Sequence, residues 1–354
     1  MPRIVRQEAI LRSVAVIATA LATCTPAEVS PEKTEFARLL SLGGERFSVR
    51  RTDHFLIASD GDEDVVNPLA DRLEAAYQAV VRFGDDIKLP IHPPSEPLPV
   101  LLFNRHSDFE RYASTLGFND PAAPGFYHQR NNTAAFCNVL DLPQLRDISL
   151  RIEQAEAPER IIEWKSQRGV IVETFNRLVI QHEAAHQVLF NTGVLSRDAD
   201  NPDWLVEGLA CQFEVSLPDG VNQMRLADFR EALAAAPDGV NASASALSAA
   251  QSDKRFLSLT DLVADNEFNV ADESKRTIRY AQAWALVDYL HRTRGDALAS
   301  YLRRNAARML NEPTDRQHRI TEFQSWFGSL DQEFERLWIE SVLKLPFDPR
   351  QRGR

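Results

Sequence analysis

The stretch VIQHEAAHQVLF, residues 179–190, constrains the fold more than any other part of the sequence. It places His182 and His186 four positions apart, and on an α-helix this spacing puts both imidazoles on one face. That face is otherwise apolar and is predicted to be buried: Phe175, Leu178, Val179, His182, His186 and Leu189. A buried imidazole without a partner costs roughly 1–3 kcal/mol, and one cation between the rings would serve both. The stretch therefore predicts a metal-binding helix; two core histidines with separate partners are the alternative.

A second apolar segment, DWLVEGLA, supplies a candidate third ligand. Glu207 lies 21 residues beyond His186 among apolar neighbours, where an ionised carboxylate needs a cation nearby. Gly208 beside it would let two helices approach closely. Catalytic zinc sites have three protein ligands and one open position, and Glu183 stands where a carboxylate can reach a metal-bound water. The alternative is a partly exposed Glu207 in a surface ion pair.

Together, HEAAH and the later WLVEGLA resemble a known group of enzymes. They are similar to the gluzincin metallopeptidases, the thermolysin-like zinc enzymes whose third ligand is glutamate. More narrowly, they resemble the bacterial peptidase MA-like proteins of the domain-of-unknown-function 1570 type. The segments FSVRRTDHFLIASD, VLLFNRHSDFERY, GFY and RYAQAWALVDYL follow in that group's order, so the resemblance extends over most of residues 45–345.

The resemblance implies a zinc-dependent peptidase that binds one zinc ion per chain and acts on a peptide or protein substrate. His182, His186 and Glu207 would bind the zinc ion, which lowers the pKa of its water and polarises the scissile carbonyl. Glu183 would be the general base, taking the water's proton and passing it to the leaving amine.

A further donor usually stabilises the oxyanion in such enzymes. Tyr280, which opens YAQAW, is the first candidate by its place relative to similar enzymes. Tyr127 and His128, on a predicted edge strand, are the second. For each of them a plainer role is open: a tyrosine at a helix start often only packs, and His128 would then simply be exposed.

The sequence departs from the thermolysin pattern at Cys211, where thermolysin has an aspartate that orients a ligand histidine. Asp203 or Glu214 would have to take that role here. Cys211 could instead be the fourth ligand of a structural zinc site, because such sites usually have four ligands. The Gly-x-Met-x-Asn stretch of the aminopeptidase branch is missing, which favours an endopeptidase.

The main rival to an enzyme is a catalytically inactive zincin-like protein that binds peptides or cell-envelope partners. The complete ligand set and the intact Glu183 argue against this alternative.

Strand-like segments precede helical ones, which predicts an α+β protein with two lobes: an N-terminal lobe with a mixed sheet and helices, then a mainly helical C-terminal lobe. The resemblance implies that these lobes form a zincin-like metallopeptidase fold. The predicted organisation is an export or lipoprotein signal over 1–28, an α/β lobe over 29–190, a helical lobe over 191–346 that carries Glu207, and a tail over 347–354.

Local signals refine this organisation. Strands are expected in RFSVRRTDHFLIASD, in PVLLFN and on both sides of a turn at Asn131-Asn132. Ser107 is expected to cap one helix, and Gly295 to end the helix over 274–295. The small, polar residues 231–251 indicate a flexible loop.

The N-terminus has the layout of an export signal: three arginines in MPRIVRQEAILR, followed by the short apolar run SVAVIATALATC. LATC resembles a lipoprotein box, so a lipidated Cys24 would be the one means of membrane attachment. The expected location is the periplasm, the outer membrane or the exterior of a bacterium. The alternative for this N-terminal segment is a helix of the mature fold. Cys137 and Cys211 could pair in an oxidising compartment or stay free. The net charge of −11 argues against a nucleic-acid partner.

Overall fold

The computed structural model describes residues 37–42, 44, 46–118, 124–215, 220–234, 256–264, 268, 272–308, 312 and 314–348. The predicted signal with Cys24, residues 235–251 of the predicted loop and all but two residues of the predicted tail lie outside this part of the chain. No helix in the described ranges combines the length and the apolar character that crossing a membrane requires.

A five-stranded mixed sheet forms the first half of the fold. Its strands are β1 Ser48–Arg51, β2 Phe55–Ser59, β3 Leu98–Phe103, β4 Gly125–His128 and β5 Thr133–Cys137. In the order β1-β2-β3-β5-β4, the three central strands run parallel, and both edge strands run antiparallel to their neighbours. The predicted strands are confirmed. So is the turn at Asn131-Asn132, where Asn132 takes a left-handed conformation with φ 52°.

Helices dominate the rest of the chain, which makes the protein α+β as predicted. They are α1 Glu63–Asp86, α2 His106–Thr115, α3 Pro143–Gln154, α4 Pro158–Phe175, α5 His182–Asn191, α6 Asp203–Gln212, α7 Gln223–Ala234, α8 Leu259–Ala264, α9 Glu273–Ala306, α10 Arg316–Phe327 and α11 Gln332–Leu343.

Alternate residues of the sheet enter two different cores. Phe55 and Ile57 face the larger core, whereas Leu56 and Ala58 between them face a smaller core beside α2. This alternation follows from the two-residue period of a strand. The larger core also contains residues of α1, α5, α6, α9 and the last helices, so it extends across the predicted lobe boundary at 190. The sheet and the C-terminal helices are therefore packed around the same apolar interior.

One predicted helix start is wrong. Helix α2 begins at His106 with Arg105 before it and without a side-chain cap; the amide of His106 donates instead to Asp141 Oδ2 at 2.8 Å. The predicted helix end at Gly295 falls beside a break: the backbone of α9 is non-helical at Arg294, where φ is −144° and ψ is 37°. This kink separates two helices, and the second continues to Ala306. Leu298, Tyr301 and Leu302 beyond the kink are buried in the core.

Candidate metal centre

A π-helical turn, Asn176–Gln181, joins α4 to α5 immediately before the first histidine. Because a π turn takes up an extra residue, it changes which side chains face inward. Leu178 and Val179 of the predicted stripe are only half-buried, whereas Ile180 and Gln181 are buried. Within α5 the α-helical period is regular again, so His182 and His186 share one buried face as the sequence predicts.

Helix α5 is tied to the sheet by buried polar contacts. The amide of Gln187 donates to the carbonyl oxygen of Pro99 at 2.9 Å and to that of Asn132 at 3.1 Å. Asn191 donates to Asn132 Oδ1 at 2.7 Å. These bonds fix the histidine-bearing helix against the ends of β3 and β5.

Three potential ligand atoms converge between α5 and α6. His182 Nε2 lies 3.0 Å from His186 Nε2 and 3.2 Å from Glu207 Oε2, and His186 Nε2 lies 3.4 Å from the same oxygen. Three corners of a tetrahedron at this spacing lie about 2.0 Å from its centre, which is the bond length that zinc prefers to nitrogen and oxygen. The group formed by His182, His186 and Glu207 could therefore hold one metal ion.

The hydrogen bond on the other side of His182 determines which nitrogen carries the proton. His182 Nδ1 lies 2.9 Å from Glu214 Oε1. Burial alone raises the pKa of Glu214, but Arg225 and the His182 hydrogen bond outweigh it and lower that pKa to about 2. The ionised carboxylate can only accept, so Nδ1 carries the hydrogen, and in the neutral ring Nε2 presents a lone pair to the centre.

The centre consequently favours positive charge. Burial also raises the pKa of Glu207, but the two histidines outweigh this and lower it, so Glu207 is ionised. Burial lowers the pKa of His182, yet hydrogen bonds with Cys211, Glu207 and Glu214 raise it well above its ordinary value. A proton or a metal ion would satisfy the same cluster of acceptors, and the two-nitrogen, one-oxygen donor set suits a divalent transition metal.

Glu183 is held beside the ligands by the edge strand. Its Oε2 accepts a 2.8 Å hydrogen bond from the backbone amide of Tyr127 in β4. Burial raises the pKa of Glu183, so its carboxylate is more basic than an exposed one. The amide of Tyr127 could not be predicted as a site group, because a backbone N–H has no signature in the sequence.

The side chains of Tyr127 and His128 are engaged elsewhere. The Tyr127 hydroxyl donates to Asn132 Oδ1 at 2.9 Å, and its ring stacks on Phe190 with centroids 5.9 Å apart. The His128 ring is hydrogen-bonded to Asn131. The structure therefore places neither side chain as a donor toward the metal ligands.

Tyr280, by contrast, lines the centre. Tyr280 lies on α9, and its ring centroid is 5.8 Å from that of His182. The guanidinium carbon of Arg225 lies 5.3 Å from the same Tyr280 centroid. Burial, together with the charges of Glu207 and Glu183, raises the pKa of Tyr280 well above its ordinary value. The hydroxyl therefore keeps its proton at neutral pH.

Of the two residues considered for orienting a histidine, Glu214 contacts His182 and Asp203 does not. Asp203 accepts from the backbone amide of Phe268 at 3.2 Å, and burial raises its pKa to about 6. Glu214 is completely buried and is also bound by Arg225 through Nε at 2.9 Å and Nη2 at 2.7 Å. No motif or spacing in the sequence indicated Arg225, which comes from a separate helix.

Cys211 forms a second group of potential ligands with His182 and Glu214, separate from the group of His182, His186 and Glu207. This second group already has its charges balanced, because Glu214 is paired with Arg225 and bonded to the His182 ring. Cys211 and Cys137 are both free and buried, and they lie in the larger and the smaller core respectively.

Gly208 allows α6 to approach α9 closely, as the sequence predicts. A Cβ atom at this position would lie 2.5 Å from the carbonyl oxygen of Ala283 and 2.7 Å from Val287 Cγ2. Gln212, one turn further, donates to the carbonyl oxygen of Trp284 at 2.9 Å. The two helices that carry Glu207 and Tyr280 are therefore in direct backbone contact.

Comparison with known proteins gives one family. No curated protein matches the chain at a significant level. Residues 177–312 match a family described as a protein of unknown function, DUF1570, and this is the domain type that the sequence resembles. The matched range begins just before His182 and contains His186, Glu207 and Tyr280, as well as the residues that orient His182.

Proposed function

We propose that the protein is a zinc-dependent peptidase of the gluzincin, peptidase MA-like type, with a zincin-like fold. One observation carries the proposal. His182 Nε2, His186 Nε2 and Glu207 Oε2 lie within 3.4 Å of one another, and Glu214 keeps the proton of His182 on the opposite nitrogen. One shared cation would satisfy these three potential ligand atoms, and Glu183 is next to His182 in the chain.

His182, His186 and Glu207 would hold the zinc ion. When bound, zinc supplies Lewis acidity, which acidifies a water molecule and polarises a carbonyl group. Glu183 accepts the proton of the attacking water, helped by its raised pKa, and delivers it to the leaving amine. The Tyr127 amide keeps the Glu183 carboxylate in place during both transfers.

Tyr280 is our candidate for the donor to the oxyanion. Its ring lies against His182, and its raised pKa keeps the hydroxyl proton available for donation. We further propose endopeptidase activity and export from the cytoplasm, on the sequence features described above.

The test combines metal content with peptide cleavage on the same purified samples. We expect one zinc ion per chain in the wild type and in Glu183→Gln, and none in Glu207→Ala. Cleavage of a peptide library should fall roughly 100- to 10,000-fold in Glu183→Gln, the scale of losing a general base. Glu153→Gln, at an exposed position on α3, is the matched control and should change neither quantity.

Two results would contradict the proposal in different ways. A folded protein without zinc would mean that the histidines are only core residues. A protein with bound zinc that cleaves no peptide would favour the second candidate, an inactive zincin-like protein that binds peptides or cell-envelope partners.

A further inference from the structure

Arg225 lies at the edge of the metal centre, where it contacts Glu214 and Tyr280 rather than the candidate ligands. Its side chain is 11% exposed, and two of its nitrogens donate to the two carboxylate oxygens of Glu214, at 2.9 and 2.7 Å. The completely buried Glu214 accepts in turn from His182 Nδ1. Two hydrogen bonds from Arg225 to Glu214 and one from His182 to Glu214, all charge-assisted, thus connect α7 to the first ligand on α5.

The start of α7 is built around this contact. Asn222 donates to Glu214 Oε2 at 2.8 Å and to the carbonyl oxygen of Cys211 at 3.0 Å, and its own Oδ1 accepts from the amide of Arg225 at 3.1 Å. Asn222 and Arg225 therefore hold both oxygens of the Glu214 carboxylate, which fixes its orientation toward His182.

The second contact of Arg225 confines His182 from another direction. Its guanidinium carbon lies 5.3 Å from the centroid of the Tyr280 ring, within the range of a cation–π interaction. The Tyr280 ring is itself 5.8 Å from the His182 ring. His182 is consequently bounded by two groups, Glu214 and Tyr280, that both contact the same arginine.

We propose that Arg225 is a positioning residue that holds His182 in its metal-binding orientation, acting through Glu214. The inference rests on the proposed function only in that the centre must bind zinc. A planar guanidinium is suited to this role because it donates to both oxygens of one carboxylate at once, whereas a lysine ammonium cannot. Partners of this kind typically change metal affinity by 10- to 100-fold when they are removed.

The test measures the zinc affinity of the metal-free, folded protein by competition with a chromophoric chelator. We expect Arg225→Met to weaken zinc binding by about tenfold or more. Arg308→Met is the matched control, since Arg308 is also buried and paired with a glutamate, but its partner is Glu322 in α10. A purely structural effect of losing a buried arginine would appear equally in both variants.

A second comparison tests the route through Glu214. In a Glu214→Gln background, adding Arg225→Met should weaken zinc binding less than about threefold, because the intermediate contact is already altered. Since Arg225→Met leaves a buried carboxylate without its counter-charge, Arg225→Lys provides a milder variant, for which we expect an intermediate loss of affinity. Circular dichroism verifies that each variant is folded.

Three results would overturn the inference while leaving the proposed function intact: unchanged zinc affinity in the folded Arg225 variants, an equal loss in Arg308→Met, or fully additive effects of the Glu214 and Arg225 substitutions. A wild-type protein that binds no zinc would overturn the proposed function itself and the inference with it.

Discussion

At the scale of single residues, burial determines the chemistry of the two described cysteines. Cys137 lies in β5 within the smaller core and is 1% exposed. Burial, with smaller contributions from the nearby Asp141 and Glu110, raises the pKa of its thiol to about 12. Burial likewise raises the pKa of Cys211 to about 11. Only a thiolate attacks a disulfide reagent, so neither thiol should be reactive in the folded protein.

We expect a Cys24→Ser chain to react with Ellman's reagent at less than a tenth of the rate of a free thiol, at pH 8 and still at pH 9. Both pH values lie below the raised pKa values, so the thiols stay protonated and buried. In denaturant, two thiols per chain should react. Fast labelling of the native protein would contradict the prediction that both thiols are buried. Absence of reactive thiols after unfolding would contradict the prediction that they are free.

The candidate ligands could be predicted at this scale because their spacing and their neighbours in the sequence indicate their role. His182 and His186 lie on one helical turn, and the apolar surroundings of Glu207 single it out. Arg225 could not be predicted, because its role arises only when α7 packs against α9 and brings Arg225 to Glu214. Glu214 was one of two possibilities until the structure placed it 2.9 Å from His182.

At the scale of elements, the contact between α6 and α9 brings Glu207 and Tyr280 together. Gly208 makes this contact possible, since a Cβ atom there would overlap the backbone oxygen of Ala283. Backbone atoms in the middle of a helix cannot move aside as a flexible side chain can, so the helices would have to separate.

We expect Gly208→Ala to lower the free energy of unfolding by about 1–3 kcal/mol, the usual range for an overpacked core. Zinc affinity should fall as well, because Glu207 moves with α6. Gly169→Ala is the control: this glycine lies in α4 with no atom near its would-be Cβ, and alanine should stabilise that helix by about 0.5–1 kcal/mol. Urea unfolding of both variants measures the difference. A Gly208→Ala protein as stable as Gly169→Ala would show that α6 and α9 are not in close contact.

The elements themselves followed largely from hydrophobic periodicity, but irregular backbone did not. The π turn before His182 lies in a helical run whose sequence pattern is regular, and a local pattern carries no signal for the extra residue that a π turn takes up. The kink at Arg294 lies beside Gly295, the predicted helix end, but the pattern did not indicate that a second helix continues from there to Ala306.

At the scale of the whole molecule, the candidate centre joins elements that are distant in the chain. Glu183 contacts β4, His182 contacts Glu207 in α6 and Glu214 two residues beyond the end of α6, and Tyr280 comes from α9. All these elements pack in the larger core, which includes residues of the sheet and of the last helices. A metal ion at the centre would therefore cross-link the fold, and its binding energy would add to the free energy of unfolding.

We expect zinc at a free concentration of 100 times its Kd to stabilise the folded protein by about 2.7 kcal/mol, a rise in Tm of roughly 5 °C for a chain of this size. Chelation by EDTA should reverse the rise, and Mg²⁺ or Ca²⁺ should not reproduce it, because hard cations prefer all-oxygen sites. The rise should shrink as the pH is lowered, since protonated imidazoles cannot bind metal.

Glu207→Gln, which keeps the side chain's shape but removes its charge, should show little or no zinc-dependent rise. Differential scanning fluorimetry of both proteins with zinc, with EDTA and with Mg²⁺ or Ca²⁺, over a series of pH values, measures these effects; an equal rise in the wild type and in Glu207→Gln would place the zinc somewhere other than between α5 and α6.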